Sequence, residues 1–269
     1  MKTHSTLLFI VLGVSTALTQ NLGQTFQIAP YVGLYDYTWK EFDDNGSEAL
    51  KESGSRFSFG AVPRYSFLRA KDLYAEMDLQ FTSGTVEYTG FVMDLQTGAR
   101  TPFTTKTAYF NFEVTASAGY IVELTKSFQL TPVAGFGFEL WNRDIANGGP
   151  NGYDEKYSVA LANIGVNGTY ILNHNIQVYS GILLKFPLSI SESIDRLPRV
   201  GTQVSDINLS PGSNPRFAIQ VGGSVYQVFA VLYFETWTLS KSPDVKGLHQ
   251  PESTRKFFGL KVGYTIEVI

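Results

Sequence analysis

Apolar and polar residues alternate along most of the chain. In the segment Leu73–Thr82, Leu, Ala, Met, Leu and Phe occupy every second position, and Tyr, Glu, Asp, Gln and Thr lie between them. Successive side chains of a β-strand point to opposite faces, so this segment is predicted to be a strand with one apolar and one polar face. The same pattern recurs along the rest of the chain.

The alternation predicts ten strands whose connections are alternately long and short. Short turns on the periplasmic side, long outward loops and an even strand count are typical of outer-membrane barrels. The predicted fold is therefore all-β, a ten-stranded antiparallel up-and-down transmembrane β-barrel. The predicted strands cover residues 25–39, 54–68, 73–82, 108–120, 128–140, 156–172, 176–186, 216–226, 229–239 and 258–268.

A soluble β-sandwich is the alternative architecture. It has no reason to sort its connections by length or to turn a face of large Phe, Leu and Val residues outward. The membrane barrel is therefore the better interpretation.

The first residues have the layout of a secretory signal, with Lys2, an apolar core at Leu7–Val14 and small residues at Ser15–Ala17. We predict a signal peptide over residues 1–23 and a single barrel domain over residues 24–269. The pattern leaves cleavage after position 17, 19 or 23 open. A membrane anchor is disfavoured because the apolar core is too short to cross about 30 Å of hydrocarbon.

Composition narrows the classes of function. The 269 residues include no cysteine, which excludes a fold that depends on disulfides, and the formal net charge is −3. No run of Lys or Arg indicates a nucleic-acid partner. We expect no cofactor and no metal ion.

In its strand pattern and its order of connections the mature chain resembles the porin-like outer-membrane β-barrel proteins of Gram-negative bacteria. The resemblance implies localisation in the bacterial outer membrane, outer-membrane lipid as a partner, and insertion by the outer-membrane assembly machinery. In that family this machinery commonly reads a final strand that ends in an aromatic residue. Here the last strand ends with Val268 and Ile269.

Charged residues on the polar strand faces are predicted to line the lumen. Positive and negative charges are nearly balanced, which favours salt bridges across the barrel over an ion-selecting ring. A ten-stranded barrel is close to the size that side chains fill, so we expect at most a narrow pore, with lumen glycines leaving some room. The predicted lumen charges are Arg56, Arg64, Glu76, Asp78, Glu113, Glu139, Lys185, Arg216, Glu235, Lys261 and Glu267.

Glu76 and Asp78 form the one carboxylate pair that suggests catalysis, because neighbouring carboxylates can divide acid and base roles. The chain resembles the ten-stranded outer-membrane proteases, the omptins, in strand number. Those enzymes use acidic residues with an Asp–His pair at the outer rim. Here His174 falls in a predicted periplasmic turn, and His249 has no aspartate that completes a pair. We therefore predict no catalytic residue and no enzyme.

Aromatic residues near the outer strand ends allow two interpretations. They either form an aromatic mouth that holds a sugar or lipid-like ligand, or belong to the aromatic girdle that such barrels carry at the membrane interface. The girdle is the preferred interpretation. The residues of the possible mouth are Tyr35, Tyr37, Trp39, Trp141 and Trp237.

The sequence thus predicts a monomeric outer-membrane barrel that is structural or forms a narrow, weakly selective pore. A barrel that binds a ligand or partner through its outward loops is the first alternative. An outer-membrane hydrolase built on Glu76, Asp78 and His249 is the second.

Overall fold

A computed structural model describes residues 25–67, 72–93, 100–145, 152–195, 207–245 and 248–268. The predicted signal peptide lies outside these residues. Within them, no helix has the length and apolarity needed to cross a membrane.

The described residues form one closed antiparallel barrel. Ten long strands follow one another around the barrel, and the first closes it by pairing with the last of them. Three short strands extend its rims. The strands are β1 Thr25–Phe42, β2 Glu48–Ser66, β3 Leu73–Met93, β4 Arg100–Tyr120, β5 Val122–Thr125, β6 Phe128–Ile145, β7 Tyr153–Asn173, β8 Ile176–Asp195, β9 Ile207–Leu209, β10 Arg216–Val225, β11 Val228–Leu239, β12 Glu252–Tyr264 and β13 Ile266–Val268. The predicted ten-stranded up-and-down barrel is confirmed.

A band of exposed apolar side chains surrounds the barrel at the end that carries Thr25 and Val268. It includes Leu34, Phe59, Phe136, Ile164 and Leu260, each more than 40% exposed. Because a closed barrel pairs all its backbone amides between strands, it can place such a band in lipid. We call the end that carries Thr25 and Val268 the inner end, and the opposite one the outer end.

The strands are longer than a membrane requires. β3, β4 and β7 each contain 21 residues, whereas a tilted strand crosses the bilayer with about 9–11. The predicted ends of the third strand at Thr82 and of the fourth at Ala108 are therefore wrong, because both strands continue through the segment that was assigned to a loop. The outer half of the barrel stands above the apolar band.

The alternation inverts where the barrel leaves the band. Along β3, Ser83, Thr85 and Glu87 face outward, whereas Val86 and Tyr88 face inward and are buried. Water replaces lipid outside this half, so its polar face turns outward and its apolar face fills the interior. The outer half is therefore built like a water-soluble barrel.

The predicted contrast between long and short connections is weaker than expected. The outer connections cover residues 43–47, 94–99, 146–152, 196–215 and 240–251, and the inner ones cover 67–72, 121–127, 174–175 and 226–227. The first three outer connections are about as long as the first two inner ones, because strand extensions take up most of the predicted loops. The fourth contains β9, which pairs with β8.

Candidate functional site

The lumen contains the chemically unusual groups of this protein. From the outer end inward it holds two layers of buried ion pairs and then a cavity. We call these the outer layer, the middle layer and the inner cavity.

The middle layer is centred on Glu139 of β6. The Glu139 carboxylate accepts hydrogen bonds from Arg216 Nη1 at 2.5 Å and from Arg255 Nη1 and Nη2 at 2.9 and 3.1 Å. Glu235 of β11 adds a second carboxylate, 2.8 Å from Lys185 Nζ and 3.6 Å from the two guanidinium groups. All five side chains are at least 94% buried. Five strands are thus linked across the lumen.

Aromatic rings pack against this layer. The Arg216 guanidinium lies 3.6 Å above the Trp237 ring, and Arg255 lies 4.6 Å above Trp141. Trp141 in turn stacks on Tyr157, with ring centroids 4.3 Å apart. Cation–π contact stabilises desolvated guanidinium groups, so ion pairs and rings together fill the lumen at this level.

The outer layer is centred on Arg143 of β6. Its Nη1 atom lies 2.9 Å from Glu41 and 2.6 Å from Glu155, and its Nε atom lies 3.1 Å from Glu52. Glu192 is a fourth buried carboxylate nearby. When the Gln250 amide is turned so that its oxygen accepts from Ser253, its nitrogen donates a hydrogen bond to Glu192 at 3.0 Å. Among the described residues of this layer, one guanidinium group therefore faces more carboxylates than its single charge can neutralise.

This excess changes the acidity of Glu155. The flanking outward residues Asp154 and Lys156 are polar, which places this end of β7 above the apolar band. Burial, reinforced by the neighbouring Glu41 and Glu52 charges, raises the pKa of Glu155 to about 7 although Arg143 opposes the shift. The outer layer thus holds a proton near neutral pH.

Below the middle layer the lumen contains a cavity of about 180 Å³. Lys261 Nζ donates to Gln80 at 2.8 Å and lies 3.5 Å from Asp78, whose carboxylate accepts a hydrogen bond from Tyr31 at 2.7 Å. At the inner end Arg64 pairs with Glu76 at 2.6 Å. The lower lumen is therefore polar and only partly filled.

The sequence predicts that lumen glycines leave room inside the barrel, but tyrosine rings fill part of that room. A Cβ atom added at Gly119 would lie 2.4 Å from the Tyr74 ring, and one at Gly60 would lie 2.5 Å from the Tyr31 ring. These glycines are needed for close approach of the rings and do not widen the lumen there.

Sequence reasoning and structure agree on which strand faces point inward. The described pairs join Arg64 to Glu76, Lys185 to Glu113 and Glu235, Arg216 to Glu139 and Glu235, and Lys261 to Asp78. Arg56 differs, because its guanidinium lies 4.6 Å above Tyr109 and 5.0 Å above Tyr37 and takes part in none of the ion pairs of the described chain.

Sequence reasoning missed Arg143, Arg255 and the glutamates of the outer layer. Most of these residues lie in strand extensions that were taken for loops or their margins. Extending the two-residue period of each strand past its apolar band would have turned them inward. The missed residues are Glu41, Glu52, Arg143, Glu155, Glu192 and Arg255.

The possible aromatic mouth is closed. Tyr35, Tyr37, Trp39, Trp141 and Trp237 all point into the lumen and are at least 98% buried. This corrects both sequence interpretations: the residues are on the lumen face and not in a lipid-facing girdle, and they pack together in place of an open vestibule. The ion pairs fill the space between these aromatic rings, so the rings are buried against them and do not line a water-filled opening.

The residues considered for catalysis do not assemble. Glu76 and Asp78 are bound to Arg64 and Lys261 in the lower lumen. His249 lies in the connection 240–251, where its Nδ1 atom is 4.0 Å from Asp244 Oδ2, a longer separation than a hydrogen bond. The sequence interpretation gave His249 no aspartate, so this proximity is a correction.

No group of three or more His, Cys, Asp or Glu side chains in the described ranges is arranged to hold a metal ion. The carboxylates of the outer layer are engaged by Arg143, Trp39 and Thr107.

Solved structures give the comparison that decides the fold. The outer membrane protease OmpT from Escherichia coli superposes with a TM-score of 0.59 at 10% identity, covering 92% of this chain and all of that one. The chain has the outer-membrane β-barrel fold. A barrel of this fold with an apolar outer band is a protein of the bacterial outer membrane.

Two further solved structures superpose less closely. The translocator domain of autotransporter NalP from Neisseria meningitidis has a TM-score of 0.44 at 10% identity, covering 97% of this chain and 95% of that one. OprG from Pseudomonas aeruginosa has a TM-score of 0.42 at 12% identity, covering 89% and 95%. No protein-family model and no curated protein sequence matches the chain.

Proposed function

We propose that this protein is a closed outer-membrane barrel with a structural role in the membrane, and that it does not conduct ions as an open pore. The observation that carries the proposal is the pair of buried ion-pair layers above the inner cavity. Charged side chains at least 89% buried cross the lumen there with their partners, and three tryptophans pack beside them. A water-filled path would leave such groups hydrated and exposed.

Planar-bilayer recording tests this proposal. The refolded protein, shown to be folded by a heat-dependent gel shift, should give no discrete current steps. A Trp141→Ala, Trp237→Ala double variant removes two rings from the middle layer and should give intermittent steps. Discrete steps from the unaltered protein would reject the closed barrel and support the narrow, weakly selective pore expected as the other possibility.

A lipid-facing pair provides the matched control. Phe136 and Phe138 lie on the same strand as Trp141 but on the outer face. The Phe136→Ala, Phe138→Ala variant loses similar aromatic volume outside the lumen, so it should remain silent. Steps from this control would show that current arises from a disturbed barrel wall and not from an opened lumen.

A second candidate function is binding of a protein partner by the outer half. The observation that favours it is the polar outward wall above the membrane, which includes Lys51, Ser53 and Glu87. In this proposal the sealed lumen makes the wall rigid. Adhesion of vesicles carrying the protein to a partner-coated surface should fall when Lys51→Glu and Glu87→Lys reverse charges on the wall.

We further propose that the protein is not an enzyme. Support comes from the engagement of Glu76 and Asp78 by cations of the lumen and from their separation from the connection that holds His249. Hydrolysis of a peptide library or of lipid esters that disappears in a Glu76→Gln, Asp78→Asn variant would reverse this conclusion.

The expected partners follow from the same proposal. They are outer-membrane lipid, which the apolar band fits, and the assembly machinery that inserts such barrels. We propose a monomer without a cofactor or a nucleic-acid partner. Light scattering in detergent tests the monomer.

A further inference from the structure

The inner cavity lies in the lower half of the lumen, between the middle layer and the inner end. Its volume is about 180 Å³. Arg255 and Phe257 contribute to its upper wall, and Ser117 and Glu76 to its lower part. The paired Arg64 side chain beside Glu76 is 41% exposed, so solvent reaches the lumen at this end. A solute would enter from the periplasmic side.

The charged groups of the cavity wall are committed to one another. Lys185 bridges Glu113 and Glu235 at 3.0 and 2.8 Å, and Lys261 contacts Asp78 and Gln80. An ionic ligand would have to break these pairs and leave a buried charge without its partner, which is strongly unfavourable. The charges therefore favour a neutral ligand.

Two asparagines of the wall have polar atoms without a hydrogen-bond partner among the described residues. Asn163 is 98% buried, and within the described chain neither its Nδ2 nor its Oδ1 atom has a hydrogen-bond partner. Asn111 donates from Nδ2 to Glu139 at 2.8 Å, but its Oδ1 atom likewise has no partner there. Buried amide atoms are normally hydrogen-bonded, so the contents of the cavity must supply the partners.

A hydroxyl group matches these atoms because it donates and accepts at once. Thr82 and Thr115 add hydroxyl groups to the wall. Tyr35 and Tyr233 lie edge to face with ring centroids 6.2 Å apart, and both contribute to the upper wall. Such rings offer an apolar surface to the C–H face of a sugar.

We propose that the inner cavity is a binding site for a small, neutral, polyhydroxylated molecule of the monosaccharide class, taken up from the periplasmic side. Asn163 is the central recognition residue: its amide donates to one hydroxyl oxygen and accepts from another hydroxyl. The sealed layers above keep the ligand from passing outward. The proposal goes beyond the structural role, and conductance tests that role separately.

Isothermal titration of the refolded protein with D-glucose, D-galactose and N-acetyl-D-glucosamine tests the site. At least one of these sugars should bind saturably. Asn163→Leu, which keeps the number and branching of the side-chain heavy atoms but removes both polar atoms, should weaken that binding at least tenfold. Asn208→Leu, on the exposed face of β9, is the matched control and should leave it unchanged.

Three results would overturn the proposal. No saturable binding of any of the three sugars would show a cavity that holds water alone. Equal binding by Asn163→Leu would place the sugar elsewhere. Tighter binding of D-glucuronate or D-glucosamine than of glucose would show that the site selects charge.

A photo-cross-linking experiment keeps the test valid if Asn163→Leu does not fold. A diazirine-bearing glucoside should label segments of β4 and β7 that line the cavity, and excess free sugar should suppress the labelling. Labelling confined to the outer half of the barrel would contradict the site.

Discussion

The middle and outer layers of the lumen use the same kinds of side chain in opposite proportions. In the middle layer Glu139 and Glu235 meet three cations, Lys185, Arg216 and Arg255. In the outer layer Arg143 alone meets three carboxylates, with Glu192 as a fourth nearby.

The difference concerns which group can lose its charge. A carboxylate that lacks a partner takes up a proton, whereas an arginine keeps its charge at any physiological pH. The acid-rich outer layer can therefore respond to pH, and the cation-rich middle layer cannot. Since both layers are buried, each depends on its central residue, and the loss of either should be costly.

Replacement of Arg143 should have the largest effect. Arg143→Gln leaves the outer carboxylates without their cation, and we expect a loss of about 4 kcal/mol in the free energy of unfolding at pH 8. The loss should shrink at pH 5, where protonation removes part of the repulsion. Urea unfolding in detergent, followed by tryptophan fluorescence, measures both values. An equal loss at both pH values would contradict the proposed charge imbalance.

Replacement of Glu139 should cost somewhat less. Glu139→Gln leaves Arg216 and Arg255 with Glu235 alone, so we expect a loss of about 3 kcal/mol. Because arginine cannot be neutralised, the loss should be the same at pH 5 and pH 8. The same unfolding experiment checks this, and recovery at pH 5 would remove the distinction between the layers.

The pH dependence of the unaltered protein sharpens the comparison. The pKa of Glu155 is about 7 in the folded protein and 4.5 is its ordinary value, so the folded state holds the proton more tightly between them. This contribution to stability is complete below about pH 4.5, falls as the pH rises to about 7 and is absent above it. We expect stability to fall by about 3 kcal/mol over this window.

Glu155→Gln isolates this contribution. The variant should lose part of the decrease between pH 5 and pH 7.5, because its amide does not titrate. The remainder belongs to Glu192, whose pKa is also raised, chiefly by burial. Glu252→Gln, at an exposed position of β12, is the control and should retain the whole decrease. An unchanged decrease in Glu155→Gln would assign it to another group.

An exposed ion pair gives the smallest expected effect. Lys40 and Glu48 lie 2.7 Å apart, but both side chains are more than a third exposed. Lys40→Ala should therefore change the free energy of unfolding by less than about 1 kcal/mol, and added salt should abolish the change. A loss as large as that of Arg143→Gln would show that burial does not set the scale of these effects.

The sequence by itself determined the barrel and the inward faces of its strands. In lipid, apolar residues must face out and polar residues in, so the two-residue period of segments such as Leu73–Thr82 fixed both strand and side. Residues Arg64, Asp78 and Lys261 were assigned to the lumen for this reason, and they lie there.

Only the tertiary structure decided how far the strands extend and which charges meet. Above the membrane the barrel is surrounded by water and not by lipid, so its strands place polar residues outside and apolar residues inside. For this reason the alternation in residues 83–107 resembled a polar loop. Glu41 and Arg143 are 102 positions apart in the chain. No local pattern relates such residues, because their contact depends on strand register and on the closure of the barrel.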